Sequence, residues 1–278
     1  MVSAFVLALT ALGLSLVFGV MRIVNVAHGE FFMLGAVLAW ACAGLVPHPL
    51  AGFAAALVVA PLLVGAIALA ADRLILRRLD YHPEGTIVAT IGLLYILQQA
   101  VLSLYGPDAR PVPSPLYFTV SFPWFGYSGY KLVVGILSAL LLAAAWLVLT
   151  RTRLGLYMRA AQQDLEMAQA FGVPARRVYA AVFALGAMLA ALAGVLVVPI
   201  EQAHYLMGLD PLLLSFIVVV LGGLGNLRGT LVAAFLVGIS DGVVSVFFSP
   251  TLAKIVATLL VAAVLIVKPS GLFAQERS

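Results

Sequence analysis

Nine apolar runs of about 14 to 22 residues, each bounded by charge, proline or glycine, account for most of this 278-residue chain. They fall at residues 2–21, 31–45, 50–71, 86–104, 131–150, 178–199, 211–224, 230–248 and 251–267. A helix of about 20 apolar residues spans a bilayer, and in lipid only helices or closed barrels satisfy every backbone hydrogen bond. No run shows the alternation of a barrel strand. The runs predict an all-α polytopic membrane protein, one transmembrane domain over residues 1–278 with eight to nine spans.

Composition excludes several other classes of protein. Hydrophobic residues make up 64% of the chain and charged residues 9%, whereas soluble domains are about half apolar and about a quarter charged. The net charge of +4 is scattered and forms no basic stripe, so a nucleic-acid partner is not indicated. The single cysteine, Cys42, excludes a disulfide or a cysteine metal site within one chain. The first run lacks a basic n-region and a cleavage site, which favours a retained helix over a signal peptide.

The positions of the basic residues predict the orientation of the chain. Twelve of the 15 Lys and Arg residues lie in segments that the positive-inside rule assigns to the cytoplasm, leaving Arg110, Lys131 and Lys254 for the other side. Nine crossings then place the N-terminus outside. Residues 105–130, rich in proline and aromatic residues, are predicted to form an ordered outer loop with an extended or re-entrant path.

The cytoplasmic segment 151–177 holds a predicted helix. From Arg159 to Ala170 no helix breaker occurs, and Gly172 and Pro174 then end the helix. A short amphipathic helix on a cytoplasmic loop is what a permease presents to the groove of a motor subunit. An ordinary solvated loop helix explains the same residues equally well.

Two of the runs, 31–45 and 211–224, are short, and each adjoins a polar break with glycines, at 21–36 and 221–234. Short or interrupted helices at corresponding places in two halves are typical of a transport site, because unwound backbone supplies groups for the solute. We therefore expect pseudo-repeated halves with the solute path at the two breaks.

The first break carries four candidate residues for the translocation path, Arg22, Asn25, His28 and Glu30. Charged groups at membrane depth cost about 2.5 to 3.5 kcal/mol each on insertion scales, so they need partners or water. One interpretation is a polar belt that lines the path or fixes the gate. The other is an Arg22 to Glu30 ion pair that caps two helices at the cytoplasmic interface.

The second break carries further candidates, namely Gly222, Gly223, Gly225, Asn226 and Arg228. Glycines permit close backbone approach and left-handed conformations, which predicts a hinge or a tight pore wall, although plain close helix packing also favours small residues. The order of residues matches neither a dinucleotide loop nor a Walker loop. Asp241, inside an apolar run, is a candidate for the path, with a structural pair to Lys254 or Arg228 as the alternative.

Five segments together resemble the integral membrane permeases of high-affinity branched-chain amino acid ABC importers. They are GVMRIVNVAHGEFFMLGA at 19–36, ATIGLLYILQ at 89–98, the stretch from RAAQQD to AGVL at 159–196, LGGLGNLRGTLVAAFLVG at 221–238 and VKPSGLFA at 267–274. The segments stand in the order of the family's signatures and extend over almost the whole chain, which is more specific than any single motif.

The resemblance implies a complex of two permeases, identical or homologous, with two ATP-binding subunits and an extracytoplasmic solute-binding protein. ATP and Mg would bind to the partner ATPase subunits, since this chain has no Walker motif and needs no cofactor of its own. The location implied is the cytoplasmic (inner) membrane of a bacterium or archaeon. The solute implied is a branched-chain or related amino acid, although such permeases also serve urea, short amides and other acids.

The resemblance also assigns an ATPase-coupling loop, with contact residues Arg159, Ala160, Ala168, Ala170, Gly172 and Pro174. Met167 stands where importer loops usually have a glutamate, and Glu166 precedes it by one position. This departure leaves the individual coupling contacts open.

Three other functions are weighed against this one. An ion-coupled secondary transporter of small polar solutes is the main alternative, because broken helices and Asp241 suit a coupling ion. An intramembrane enzyme is disfavoured, since the sequence His-Gly-Glu at 28–30 is not a zinc-protease motif and no nucleophile elbow accompanies it. A passive channel would leave the basic loop without a purpose.

Overall fold

A computed structural model describes residues 2–121, 126–268 and 271–272 of the chain. Its helices are α1 Val2–Met21, α2 His28–Leu45, α3 Pro49–Leu74, α4 Pro83–Tyr105, α5 Gly129–Arg151, α6 Arg153–Gln163, α7 Leu165–Ala170, α8 Ala175–Val197, α9 Leu209–Gly222, α10 Leu227–Phe247 and α11 Pro250–Val267. A 3-10 turn, Leu76–Leu79, follows α3, and the strands β1 Thr119–Ser121 and β2 Gly126–Ser128 form a small antiparallel hairpin. Arg277 and part of the 267–274 signature lie outside the described residues.

Each of the nine apolar runs coincides with one long helix to within a few residues, which confirms the all-α polytopic fold. Seven described helices are long and apolar enough to cross a membrane, and α9 and Lys254–Val264 of α11 are shorter apolar helices. α2 begins at His28, three residues before its apolar run, and reaches the length of a span with 18 residues. α9 has 14 residues and is the shortest of the nine helices that follow an apolar run.

Contacts between connecting segments mark two ends of the bundle. One end, called here the basic end, holds Arg22, the turn at Gly225 and the small helices α6 and α7. At this end the backbone amide of Leu272 donates to the carbonyl of Leu221 at 2.9 Å. At the opposite end, Arg110 and Ala203 exchange backbone hydrogen bonds of 2.8 and 2.9 Å.

The core is built from α1, α2 and α8, where small residues allow backbones to touch. A Cβ atom built at Gly13 would lie 2.6 Å from the carbonyl oxygen of Gly186, and one at Gly194 would overlap the carbonyl oxygen of Phe32. Small residues at such crossings are what drives helix association in lipid, where apolar burial gives little driving force. Helices α4 and α5 lie outside this core and expose much of their apolar surface.

The outer loop confirms the extended path that its prolines predict, because residues 111–118 form neither helix nor strand. The β hairpin was not anticipated. Its register pairs Thr119 with Ser128, and the amide of Gly129 donates to the carbonyl of Phe118 at 2.8 Å, so the loop leads directly into α5.

The single helix predicted from Arg159 to Ala170 is wrong at Asp164. That residue is extended, with φ −151° and ψ 109°, and its carboxylate accepts the amide of Met167 at 3.0 Å. An aspartate that caps a helix N-terminus competes with helix continuation, so α6 ends there and α7 begins. The predicted stop is confirmed: Gly172 has φ +86° and its amide donates to the carbonyl of Gln169.

Candidate translocation and coupling site

The two polar breaks lie side by side at the basic end. A Cβ atom built at Gly225 would lie 2.8 Å from the Cα atom of Gly19, at the end of α1, so the two backbones are in contact. Gly223 and Gly225 have φ of +91° and +80°, in the region where glycine is free of strain. The sequence predicted a tight glycine turn here. The structure adds that this turn contacts the end of α1, just before the first break.

The coupling segment touches this junction directly. The side-chain amide of Gln162, near the end of α6, donates a hydrogen bond of 2.9 Å to the carbonyl oxygen of Gly225. One polar contact therefore joins α6 to the α9–α10 turn. The role of Gln162 was not predicted from the sequence. Its partner is a backbone carbonyl, which every residue has, so no complementary side chain marks the contact.

The first break is a short ordered turn. The side chain of Asn25 accepts the amide of Ala27 at 3.1 Å, and the amide of Val26 donates to the hydroxyl of Thr90 in α4 at 3.2 Å. Arg22 adopts φ +55° and exposes its side chain at the basic end. The turn is thus pinned to α4 while its one charge points outward.

His28 and Glu30 lie in the first turn of α2 and are fully buried. The Nε2 atom of His28 is 2.9 Å from the carbonyl oxygen of Thr10, and Oε1 of Glu30 accepts a 2.9 Å bond from the amide of Gln98. The alternative of an Arg22 to Glu30 ion pair is therefore wrong, because Glu30 is held by Gln98 while Arg22 is exposed. The two residues fasten α2 to α1 and α4.

The second break is closed by a cap and a buried hydroxyl pair. Asn226 accepts the amide of Gly229 at 3.1 Å, and the hydroxyl of Thr230 donates to that of Ser15 at 2.8 Å. Gly222 lies against the start of α10, where a Cβ atom would be 2.5 Å from the amide of Thr230. These contacts tie the turn to α1.

The two remaining charged path candidates point in other directions. Arg228 is exposed and stacks over Trp146 of α5 at 5.7 Å. Asp241 lies half-buried toward the opposite end of the bundle, apart from the nine other candidates. The pairing suggested for Asp241 is not seen: Lys254 forms its ion pair with Asp210, at 2.6 Å.

The coupling segment is amphipathic. Gly155, Met158 and Ala161 of α6 and Ala168 of α7 are buried against the bundle, and Arg159 donates to the carbonyl of Leu149. Of the other coupling residues, Ala160 is half-buried, Ala170 and Gly172 are exposed, and Pro174 precedes α8.

Several large apolar side chains of the segment face solvent, and Met167 and Phe171 are the ones next to the end of α7. Met167 is 54% exposed and Phe171 is 84% exposed. Exposed apolar side chains next to a helix end suit a protein contact better than water. In the sequence these two residues stand among charged and polar ones, so their exposure was not predicted.

Within the residues described, no group of three or more His, Cys, Asp or Glu side chains is placed to hold a metal ion. The site is composed of glycine backbone, amides, hydroxyls, two exposed arginines and the buried side chains of His28 and Glu30.

Residues 1–265 match the family described as branched-chain amino acid transport system / permease component. The chain is 28% identical to the high-affinity branched-chain amino acid transport system permease protein BraD of Pseudomonas aeruginosa, over 96% of this chain and 91% of that protein. It is 29% identical to LivH of Escherichia coli over the same shares, and 24% identical to the probable LivH of Methanocaldococcus jannaschii over 96% and 88%. No solved structure gives a significant match.

Proposed function

We propose, because this chain belongs to the family of branched-chain amino acid transport system permease components, that it forms the translocation path of an ATP-driven importer for branched-chain amino acids. As a multi-pass membrane protein it resides in the cytoplasmic (inner) membrane of a bacterium or archaeon. The relatives named above carry branched-chain amino acid transport in their names, and they support this class of solute.

One observation supports the mechanism most directly: α6 is bonded to the turn that joins α9 and α10. When a partner moves the α6–α7 segment, the bond from Gln162 to Gly225 pulls on that turn. The α9–α10 turn also contacts Gly19 at the end of α1, so the movement reaches the first break as well. Closing one end of a helix bundle while opening the other is the general form of alternating access.

The partners follow from this role. Two ATP-binding subunits hold ATP and Mg and hydrolyse the nucleotide, a second permease completes the path, and an extracytoplasmic binding protein delivers the solute. The exposed Met167 and Phe171, beside Gly172, form the surface that meets an ATP-binding subunit. This chain supplies the coupling contact and the path, and the hydrolysis takes place in its partners.

The proposed path runs at the junction of the two breaks. Arg22 and Arg228 are the exposed cations at this end of the bundle that a solute carboxylate can meet, and the glycines of the α9–α10 turn let the backbone approach the solute closely. His28, Glu30 and Asn25 hold the wall of this path in place. Asp241, remote from the junction, serves the opposite end of the path.

Uptake of labelled leucine, isoleucine and valine into proteoliposomes tests the function. The vesicles hold this chain with its co-purified ATP-binding subunits, partner permease and binding protein. We expect uptake that requires every component and ATP. Uptake by this chain alone under an ion gradient, without ATP, would instead make it a secondary transporter.

The coupling contact is tested with two substitutions at one position. Gly172 has φ +86°, and open space surrounds its α-carbon, so Gly172→Ala and Gly172→Leu impose the same backbone strain, about 1 kcal/mol, and differ in bulk. We expect the leucine variant to assemble and to hydrolyse ATP while losing about tenfold or more of its coupled uptake. The alanine variant should keep most of it. Equal coupling in both variants would remove Gly172 from the docking surface.

A further inference from the structure

An open cavity of about 680 Å³ lies at the basic end, on the outside of α3 and α4 and away from the translocation site. Its walls are mostly apolar, with Leu74, Leu79 and Val88 among the lining residues. Leu74 and Val88 are 58% and 71% exposed. We expect this surface to face lipid near the headgroup level, because its apolar side chains are exposed and Arg73, Arg77 and Arg78 lie at the same end.

Two opposite charges line the same cavity. Arg78 lies on the 3-10 turn and Glu84 in the first turn of α4, and both are exposed. They do not pair with each other: within the ranges described, the ion pair found is that of Lys254 and Asp210. The cavity thus presents one free cation and one free anion beside apolar walls.

The other arginines of this corner lie near a buried carboxylate, although among the residues described they form no ion pair with it. Arg73 and Arg77 both interact electrostatically with the buried Asp72, which also accepts a 3.1 Å hydrogen bond from the hydroxyl of Tyr81. Burial and the Asp72 carboxylate raise the pKa of Tyr81 to about 12, so its hydroxyl keeps the proton that it donates. Arg78 is the arginine left to face the cavity.

The cavity wall is held in a fixed shape. Tyr81 packs edge-on against Tyr179 of α8, with ring centroids 4.8 Å apart. Asp80 and Tyr81 have φ of +46° and +57°, which turns the chain sharply between α3 and α4. A sharply turned segment that is hydrogen-bonded to α3 and packed against α8 gives a preformed site.

We propose that this cavity binds one phospholipid whose headgroup carries both a phosphate and a primary ammonium group, an ethanolamine phospholipid. The guanidinium of Arg78 takes the phosphate, and the carboxylate of Glu84 takes the ammonium. An acyl chain then follows the exposed stripe Val88, Ile91 and Tyr95 along α4. An anionic headgroup without the amine would leave Glu84 facing a second negative charge.

Native mass spectrometry of the purified full-length chain tests this site. The chain is exchanged into detergent with equal amounts of ethanolamine, choline and glycerol phospholipids of identical acyl chains. We expect about fivefold more retained ethanolamine lipid than either of the others, the ratio that one charged contact near a membrane surface supplies. Equal retention of all three lipids would overturn the proposal.

Charge-removing variants assign the two contacts. Arg78→Gln should lower retention of the ethanolamine lipid about fivefold, whereas Arg73→Gln, on the same corner but outside the cavity, should leave it unchanged. Glu84→Gln should abolish the preference for ethanolamine over glycerol lipid. Similar losses in both arginine variants would mean a general basic surface, which contradicts a defined site.

Two further measurements separate the lipid from other occupants. Ala89→Phe fills the cavity without changing its charge, and we expect loss of the bound lipid with an unchanged oligomeric state. Displacement of the lipid by free leucine would identify the ligand as an amino-acid zwitterion. A change from oligomer to monomer in the Ala89 variant would show that a second copy of the chain covers this face. Either result would reject the lipid.

Discussion

Helices α8 and α5 are each 23 residues long and have almost the same mean hydropathy, 2.5 and 2.7 in their most apolar windows. Yet 78% of that window is buried in α8 and 17% in α5. Both helices are equally suited to lipid, so hydropathy alone does not decide which of them enters the protein core. Lipid tails are as apolar as leucine, and burying apolar surface against another helix gives little gain.

Side-chain size separates the two helices. Ala and Gly make up ten of the 23 residues of α8 but six of the 23 in α5, where leucine is the commonest residue. In α8, Gly186 and Ala191 meet the backbones of α1 and α2 at Gly13 and Gly35. Close approach brings more atoms into van der Waals contact, and this is the attraction that remains in a bilayer.

The largest expected effect comes from enlarging a small residue of α8. A side chain at Gly194 overlaps the carbonyl oxygen of Phe32, so Gly194→Leu forces α2 and α8 apart. We expect about 3 kcal/mol or more of destabilisation, at the upper end for overpacked cores, and little protein that elutes as a single species. Thermal unfolding in detergent, followed by intrinsic fluorescence, measures the loss.

The matched control is Gly92→Leu in the exposed helix α4, where open space surrounds the glycine. Here we expect a change within about 0.5 kcal/mol, the range for surface positions, with a small gain because leucine favours helix. If both leucine variants unfolded at the same temperature, residue size would no longer explain why α8 is buried and α4 and α5 are not.

A smaller effect is expected from the polar contact that holds α4 to the core. Glu30→Ala leaves the amide of Gln98 buried without its acceptor, which costs about 1 to 3 kcal/mol. Glu30→Gln keeps an acceptor oxygen at the same place and should cost less than about 1 kcal/mol. Thermal unfolding of the two variants measures the difference. Equal stability of both with the parent chain would show that α4 is held by packing alone.

The fold was predictable because its signals are local. Every long helix follows an apolar run, and the prolines at 107–115 and the glycine at 172 end helices by their own backbone chemistry. The break at Asp164 was missed, because aspartate occurs both within helices and at their caps. Its role depends on the amide of Met167 being free to donate to the carboxylate.

The site was predictable only in part. The glycines at 222, 223 and 225 mark the turn in the sequence, since 223 and 225 have left-handed conformations and a side chain at 222 would meet the backbone of α10. The hydrogen-bond partners in the site could not be predicted from the sequence. Gln162 donates to a carbonyl 63 residues away, and Gln98 donates to Glu30 across 68 residues. Hydrogen bonds over such distances depend on how helices pack, and the packing follows from small residues that carry no polar signal.

The smallest expected effect concerns the ion pair between Lys254 of α11 and Asp210 of α9. Both side chains are partly exposed, at 39% and 66%, so the pair is screened by water and ions. We expect Lys254→Gln to cost less than about 1 kcal/mol, and the difference to vanish in 1 M salt, where the screening length is about 3 Å. The control is Lys131→Gln, which removes an exposed lysine at the start of α5.

A loss above about 2 kcal/mol that survives high salt would mean that peripheral helices depend on charge pairs. Small residues would then account for the burial of α8, but not for the attachment of the helices around it.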